Sequence, residues 1–188
     1  PDTVSNLRTD LEATLRVHPV PLADDWASWA EEIASARPTL LVLLPHHLQQ
    51  GGFDQLEIGG DKRKSMQIRI EHVRSSQDPD ARPIVLLIGC QTNAAKVDLE
   101  GFVPAFQDAG AVIIVSTIAS VLGRQAGPAA AAIAQELKKQ EGNPDATFGE
   151  VMLAVRRRLL VEGTPMVLGL TSYGDADWRI GAADGDDH

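Results

Sequence analysis

Two adjacent histidines and the only cysteine of the chain each follow a run of apolar residues. His46 and His47 come directly after residues 39–45, and Cys90 comes directly after residues 83–89. Short continuous apolar runs bounded by Gly or Pro are typical of strands buried on both faces of a parallel sheet. Loops diverge at the carboxyl ends of such strands and leave a crevice there. If the two strands are neighbours, an imidazole and a thiol emerge at one edge of the sheet, which is the pair that nucleophilic catalysis by cysteine requires.

Each of these residues also has a simpler interpretation. A lone cysteine is often a small buried side chain with no reaction to perform. Paired histidines can begin a polar loop or bind a metal, but a metal site needs further ligands at suitable spacing, and His18 and His72 are isolated. We therefore predict no metal and no cofactor, and we expect His18, His72 and His188 to lie on the surface or in the tail. The position of Cys90, between a glycine and three polar residues, favours a nucleophile.

Helical patterns lie between the apolar runs and predict the elements that hold the histidines and Cys90 in position. The predicted helices begin near Asp25, Leu99, Pro128 and Thr147, the last with a Thr-x-x-Glu capping box. Two more apolar runs, residues 111–117 and 165–172, predict further strands. This alternation predicts an α/β fold with a mostly parallel sheet and helices on both faces.

Residues 48–82 do not follow this alternation. The stretch 56–58 and the alternating Met66, Ile68 and Ile70 predict short, half-exposed strands on either side of a charged turn at residues 61–64. Residues 75–82 predict a loop.

Length and composition limit the partners and the compartment. The 188 residues suit one domain, which we place at residues 1–180 and follow with a disordered acidic tail at residues 181–188. The formal charge of −9 argues against nucleic acid, and no apolar run is long enough to cross a membrane. A single cysteine and the absence of a signal peptide favour a reducing, cytoplasmic location. Because the first residue is Pro1 rather than Met, we expect a piece of a longer protein.

The ordered set of motifs resembles the CHAT domains, which are caspase-like cysteine peptidases related to separase, metacaspase and gingipain. Their pattern is an apolar strand ending in His, followed some forty or more residues later by an apolar strand ending in a small residue and Cys. Here LLVLLP-His46 precedes IVLLIG-Cys90. The similarity continues through FVPAFQDAGAVIIVST, AAAAIAQEL, FGEVMLAVRRRLL and a final Tyr-Gly-Asp with Trp178, and it covers residues 39–180.

The resemblance implies a caspase-like three-layer sandwich and a cysteine endopeptidase acting through a Cys-His dyad. Cys90 would be the nucleophile and His46 the general acid and base, with His47 the alternative histidine. The backbone amides of Cys90 and His47 would form the oxyanion hole. The partners implied are a protein or peptide substrate and regulatory domains in the same longer chain. Several relatives cleave after a basic residue, and Asp54, Glu57, Asp61 and Asp98 are acids near the predicted crevice.

Two other functions remain open. His47 stands where the family usually has Gly, and Gln91-Thr92-Asn93 replaces the common Glu-Thr-Gly, so a catalytically inactive CHAT-like interaction or sensing module is the alternative. A glutaminase-like thiol hydrolase is disfavoured, because that chemistry needs a histidine downstream of the cysteine and a glycine where this chain has Ile88.

Overall fold

Twelve regular elements and three short 3-10 turns make up the part of the chain described by the computed structural model, which is residues 2–16, 19–50, 53–89, 101–118 and 123–180. The helices are α1 (Asp2–Leu15), α2 (Trp26–Ala36), α3 (Phe102–Asp108), α4 (Gly123–Lys139) and α5 (Phe148–Val161). The strands are β1 (Leu40–Leu43), β2 (His46–Gln50), β3 (Phe53–Ile58), β4 (Asp61–Lys64), β5 (Ile84–Leu87), β6 (Ile113–Thr117) and β7 (Leu170–Tyr173). The 3-10 turns are Ser65–Gln67, Ile70–His72 and Pro165–Gly169.

The main sheet is built from the apolar runs and has the strand order β1-β5-β6-β7. Strands β1, β5 and β6 are parallel, and β7 pairs antiparallel with β6. Every residue of β5 and β6 is buried, as expected for strands covered on both faces. The prediction of a mostly parallel sheet is therefore confirmed.

Helices cover both faces of this sheet and make three layers. On one face, α1, α4 and α5 pack against alternate residues of β5 and β6. The side of α4 toward the sheet is mostly alanine, which lets the helix approach closely. On the other face lie α2 and α3, whose buried side chains are Trp26, Ile33, Phe102, Val103 and Phe106. Apolar residues from the smaller sheet and the turns after it extend this second layer.

A second sheet, of order β2-β3-β4, replaces the turn that we predicted at residues 61–64. The turn lies instead at Gly59 and Gly60, between the paired residues Ile58 and Asp61. Both glycines have positive φ, +56° and +93°, which is the geometry of the two-residue hairpin turn that matches strand twist. The two glycines therefore set the position of the hairpin, and the charged residues after them form β4.

The strand predicted from Met66, Ile68 and Ile70 is also wrong. This segment forms 3-10 turns in which Ile68 is buried, whereas Met66 is 64% exposed and Ile70 is 46% exposed. Side chains stabilise the turns locally: the Gln67 amide oxygen accepts a hydrogen bond from the Lys64 N–H, and His72 Nδ1 accepts one from the Arg69 N–H. These bonds satisfy backbone donors that a strand would have paired with a neighbour.

Only the second half of the run 165–172 is a strand. Residues Pro165–Gly169 form a 3-10 turn with proline in its first turn, and β7 then begins at Leu170. Leu170 is the buried residue of β7, because β7 lies at the edge of the sheet. The loop predicted at 75–82 is confirmed.

Local capping signals are confirmed where the sequence predicts them. Asp25 accepts a hydrogen bond from the Ser28 N–H, and Thr147 and Glu150 form the capping box of α5. Helix α1 was not predicted, although Leu7 and Leu11 are spaced as in a helix and are buried against α4 and the sheet. Within the described ranges, no helix is long and apolar enough to cross a membrane.

Candidate active site at the ends of β1 and β5

Strands β1 and β5 are paired neighbours, as the candidate site requires. Their register runs from Leu40 opposite Ile84 to Leu43 opposite Leu87, and the ladder continues with a 3.1 Å hydrogen bond from the Ile88 N–H to the Leu43 carbonyl. His46 stands three residues after Leu43, and Cys90 stands three residues after Leu87. The chain therefore leaves both strands at the same edge of the sheet. His46 and Cys90 follow the last residue of their strands by the same number of positions.

The structure places His46 at the first position of β2, directly after Pro45. Its side chain is exposed, and its partner in the antiparallel pair is Glu57 of β3. Side chains directly opposite one another in such a pair lie within contact range. The strand register therefore places Glu57 opposite His46.

The backbone of His47 pairs with Leu56 in the same hairpin. Cys90 lies outside the described residues and follows the buried Gly89 directly. The structure thus brings together the strands that lead to both predicted residues.

The acids that we associated with the crevice divide into three groups. Glu57 pairs with Lys62 at 3.8 Å across the hairpin, and Asp61 pairs with Arg63 at 2.7 Å. Asp54 belongs to β3, where its backbone pairs with Gln49. Asp98 is outside the described residues. Glu57 is the acid that the fold aligns with His46, by strand register rather than by sequence proximity.

His72 is not a surface residue, and that expectation is wrong. It is 8% exposed, and its ring meets the buried Trp26 edge to face, with centroids 5.4 Å apart. The Trp29 indole N–H donates to the His72 carbonyl at 2.8 Å. Burial lowers the pKa of His72, and the nearby Glu71 opposes this shift. His72 therefore joins the turn Ile70–His72 to α2. His18 and His188 lie outside the described residues.

A groove that no sequence pattern predicted lies beside β1. It has a volume of about 630 Å³, and its walls are α1, residues 20–24, α2 and the free edge of β1. His46 and Glu57 border one end. We call this feature the edge groove. In the described part of the chain, no three His, Asp or Glu side chains converge as metal ligands would.

Comparison with solved structures relates this arrangement to a known architecture. The Arg-specific cysteine proteinase gingipain R aligns with a TM-score of 0.55 over 95% of this chain, at 14% sequence identity. The fold is caspase-like. This caspase-like chain spans 41% of the gingipain R chain. No protein-family profile matches the sequence, and no curated protein sequence matches it.

The caspase-like fold confirms the three-layer architecture that the resemblance implied. Assignment to the CHAT domains in particular stays a prediction.

Proposed function

We propose that this protein is a cysteine endopeptidase of the CHAT type, with Cys90 as nucleophile and His46 as general acid and base. The observation that carries the proposal is the parallel, in-register pairing of β1 and β5, which sends the chain toward both residues from one edge of the sheet. The likeness to gingipain R, named as an Arg-specific cysteine proteinase, supports this chemistry.

The reaction uses a small number of groups. The Cys90 thiolate attacks the scissile carbonyl carbon, the C–N bond breaks, and His46 gives a proton to the leaving amine. His46 then takes a proton from water, which attacks the thioester and releases the acid with the free thiol. The backbone amides of Cys90 and His47 would stabilise the oxyanion, as the family resemblance implies. One such donor contributes about 100- to 1000-fold to turnover.

The substrate we propose is a protein cleaved after a basic residue. The chain carries a formal charge of −9, so the molecule as a whole attracts positively charged segments, and gingipain R, the structural neighbour, is named as Arg-specific. A thiol that must stay reduced fits a cytoplasmic location. We also propose that regulatory domains belong to the same longer chain.

The test combines covalent labelling with cleavage. An acyloxymethyl ketone peptide ending in arginine should label the wild-type protein, and Cys90→Ala should not be labelled. His46→Ala should lower kcat/KM on an arginine peptide by about 100- to 10,000-fold, which is the usual contribution of general acid and base catalysis. His47→Ala keeps its backbone amide and should lose much less. Labelling that persists in Cys90→Ala contradicts the proposal.

One sequence feature favours a second candidate, a catalytically inactive CHAT-like interaction or sensing module. His47 occupies the position where the family usually has glycine, and the residues after Cys90 also depart from the common pattern. Wild-type protein that is neither labelled nor active across a diverse peptide library would support this candidate and not the peptidase.

A further inference from the structure

Among the described residues, strand β1 has one edge without a partner strand. It is the first strand in the order β1-β5-β6-β7, so only its other edge is paired. The carbonyls of Thr39 and Leu43 accept hydrogen bonds from β5. Because backbone groups alternate in direction along a strand, the N–H and C=O groups of Leu40 and Val42 point the opposite way, toward the edge groove. No hydrogen bond joins these groups to another residue in the described ranges.

The outward backbone groups of Leu40 and Val42 lie between two helices. Leu40 and Val42 are half-buried, α1 covers one face of the edge, and α2 covers the other. The walls are mostly apolar, with Leu7, Leu11 and Ile33 buried at their base and Leu22 47% exposed at the rim. Backbone donors and acceptors placed in an apolar groove are costly unless a ligand or water pairs with them.

The shape of the edge groove selects an extended polypeptide. A strand added beside β1 would satisfy the outward backbone groups and place alternate side chains against the apolar walls. A dimer that pairs two β1 edges is disfavoured, because each edge is recessed between the same two helices and cannot meet the other.

The charges on the walls select a basic segment. Asp24 and Glu32 border the edge groove and have no ion-pair partner in the described part of the chain. Arg8, the arginine on the same walls, is already engaged by Glu12 at 3.0 Å. Lysine or arginine side chains on the bound segment would therefore find unpaired carboxylates.

We propose that the edge groove binds an extended, basic segment of the substrate polypeptide as an added strand beside β1. This inference rests on the proposed peptidase function, because His46 borders the same groove and continues from β1 toward the candidate site. The groove is then a docking site for substrate residues outside the scissile bond.

The experiment measures binding apart from cleavage by using Cys90→Ala protein. The probe is a fluorescein-labelled peptide that alternates valine and lysine, and the readout is fluorescence anisotropy. Two further peptides carry N-methyl groups on all valines or on all lysines. N-methylation removes the N–H donors of one edge of the peptide strand, so the version methylated on the edge that faces β1 should bind at least about tenfold more weakly than the other.

A matched pair of substitutions locates the binding. Glu32→Lys, in the Cys90→Ala background, reverses a charge on the groove wall and should weaken binding about two- to fivefold. Glu31→Lys changes the net charge equally on the exposed side of α2, outside the groove, and should leave the Kd unchanged.

The outcomes separate this inference from the proposed function. Equal binding of both N-methylated peptides, or equal effects of Glu31→Lys and Glu32→Lys, would overturn strand addition in the edge groove while leaving the peptidase proposal intact. Edge-selective binding to Cys90→Ala protein, together with wild-type protein that cleaves nothing, would support the groove and refute the peptidase. Edge-selective binding with a raised KM and unchanged kcat for Glu32→Lys in the otherwise wild-type enzyme would support both.

Discussion

At the scale of single residues, His72 shows how a polar side chain becomes part of a core. Its ring packs against Trp26, its Nδ1 accepts the Arg69 N–H, and its carbonyl accepts the Trp29 indole N–H. Nδ1 accepts a hydrogen bond only when it carries no proton. The native structure therefore stabilises the neutral form of His72.

This preference predicts a pH-dependent stability. Burial lowers the pKa of His72 in the folded state, so the unfolded chain binds a proton more readily and acid favours unfolding. We expect the free energy of unfolding to fall as the pH drops below about 6.5, with a slope from this residue of at most about 1.4 kcal/mol per pH unit. The surrounding charges, Glu71, Arg63, Arg69 and Asp61, modulate the pKa without reversing its direction.

The measurement compares urea unfolding of wild-type protein and His72→Gln from about pH 8 to about pH 5. The variant should be less stable at pH 8 and should lose less stability on acidification. Parallel pH profiles for the two proteins would show that His72 does not carry this dependence.

The sequence could not predict the burial of His72. The residue sits in a charged segment, and the indoles that enclose it come from α2, more than forty positions earlier in the chain. The position of His46 was easier to predict, because it depends only on the apolar run that immediately precedes it. Its catalytic role stays a prediction.

At the scale of elements, the hairpin turn between β3 and β4 holds the small sheet against the chain before α2. A Cβ atom added at Gly59 would lie 1.6 Å from the carbonyl oxygen of Asp24. A Cβ added at Gly60 would meet nothing within 4 Å. The two positions share positive φ, so the backbone contact with Asp24 is the difference between them.

Gly59→Ala should therefore destabilise the protein more than Gly60→Ala. The second change costs only the strain of a left-handed residue, about 1 to 2 kcal/mol. The first adds displacement of the Asp24 backbone, since no flexible side chain can move aside. Thermal unfolding of the two variants measures the difference, and equal melting temperatures would show that the hairpin does not pack against Asp24 as described.

The helix caps were predicted correctly from the sequence, whereas the 3-10 turns at residues 65–72 were not. The predicted N-cap at Asp25 and the predicted capping box at Thr147 are both present in the structure, and Ser28 completes a second capping box with Asp25. The alternation of Met66, Ile68 and Ile70 equally satisfies a strand, and the 3-10 turns prevail because Gln67 and His72 supply nearby acceptors. A pattern of alternating apolar residues carries no information about these side-chain hydrogen bonds to the backbone, so it cannot distinguish the turns from a strand.

At the scale of the whole molecule, the layer of α1, α4 and α5 closes one face of the main sheet. Leu159 of α5 is 2% exposed in this layer, whereas the next residue, Leu160, is 42% exposed. The adjacent leucines therefore report separately on the core and on the surface of one helix.

Leu159→Ala should lower the free energy of unfolding by about 2 to 5 kcal/mol, because it removes buried methyl groups and leaves a cavity. Leu160→Ala should change it by about 0.5 kcal/mol or less. Denaturant unfolding of both variants checks this expectation. Similar losses at the two positions would mean that α5 does not present the face described to the sheet.

The mostly parallel sheet could be predicted, because each parallel strand is a separate apolar run, and so could the helices that cover it except α1. The edge groove could not, since its walls come from α1, residues 20–24, α2 and β1, and no local pattern describes the space between them. The same is true of the pairing between His46 and Glu57, which depends on the position of the glycine turn.

The connection between β1 and β5 has a consequence for the order of assembly. Parallel neighbours cannot be joined by a tight turn, and here the intervening chain contains the whole β2-β3-β4 sheet and two 3-10 turns. The hairpins close short loops, whereas β1 and β5 must meet across forty residues, from 44 to 83. We therefore expect the small sheet to form early during folding. Alignment of the two strand ends that lead to His46 and Cys90 then belongs to the late, slow phase.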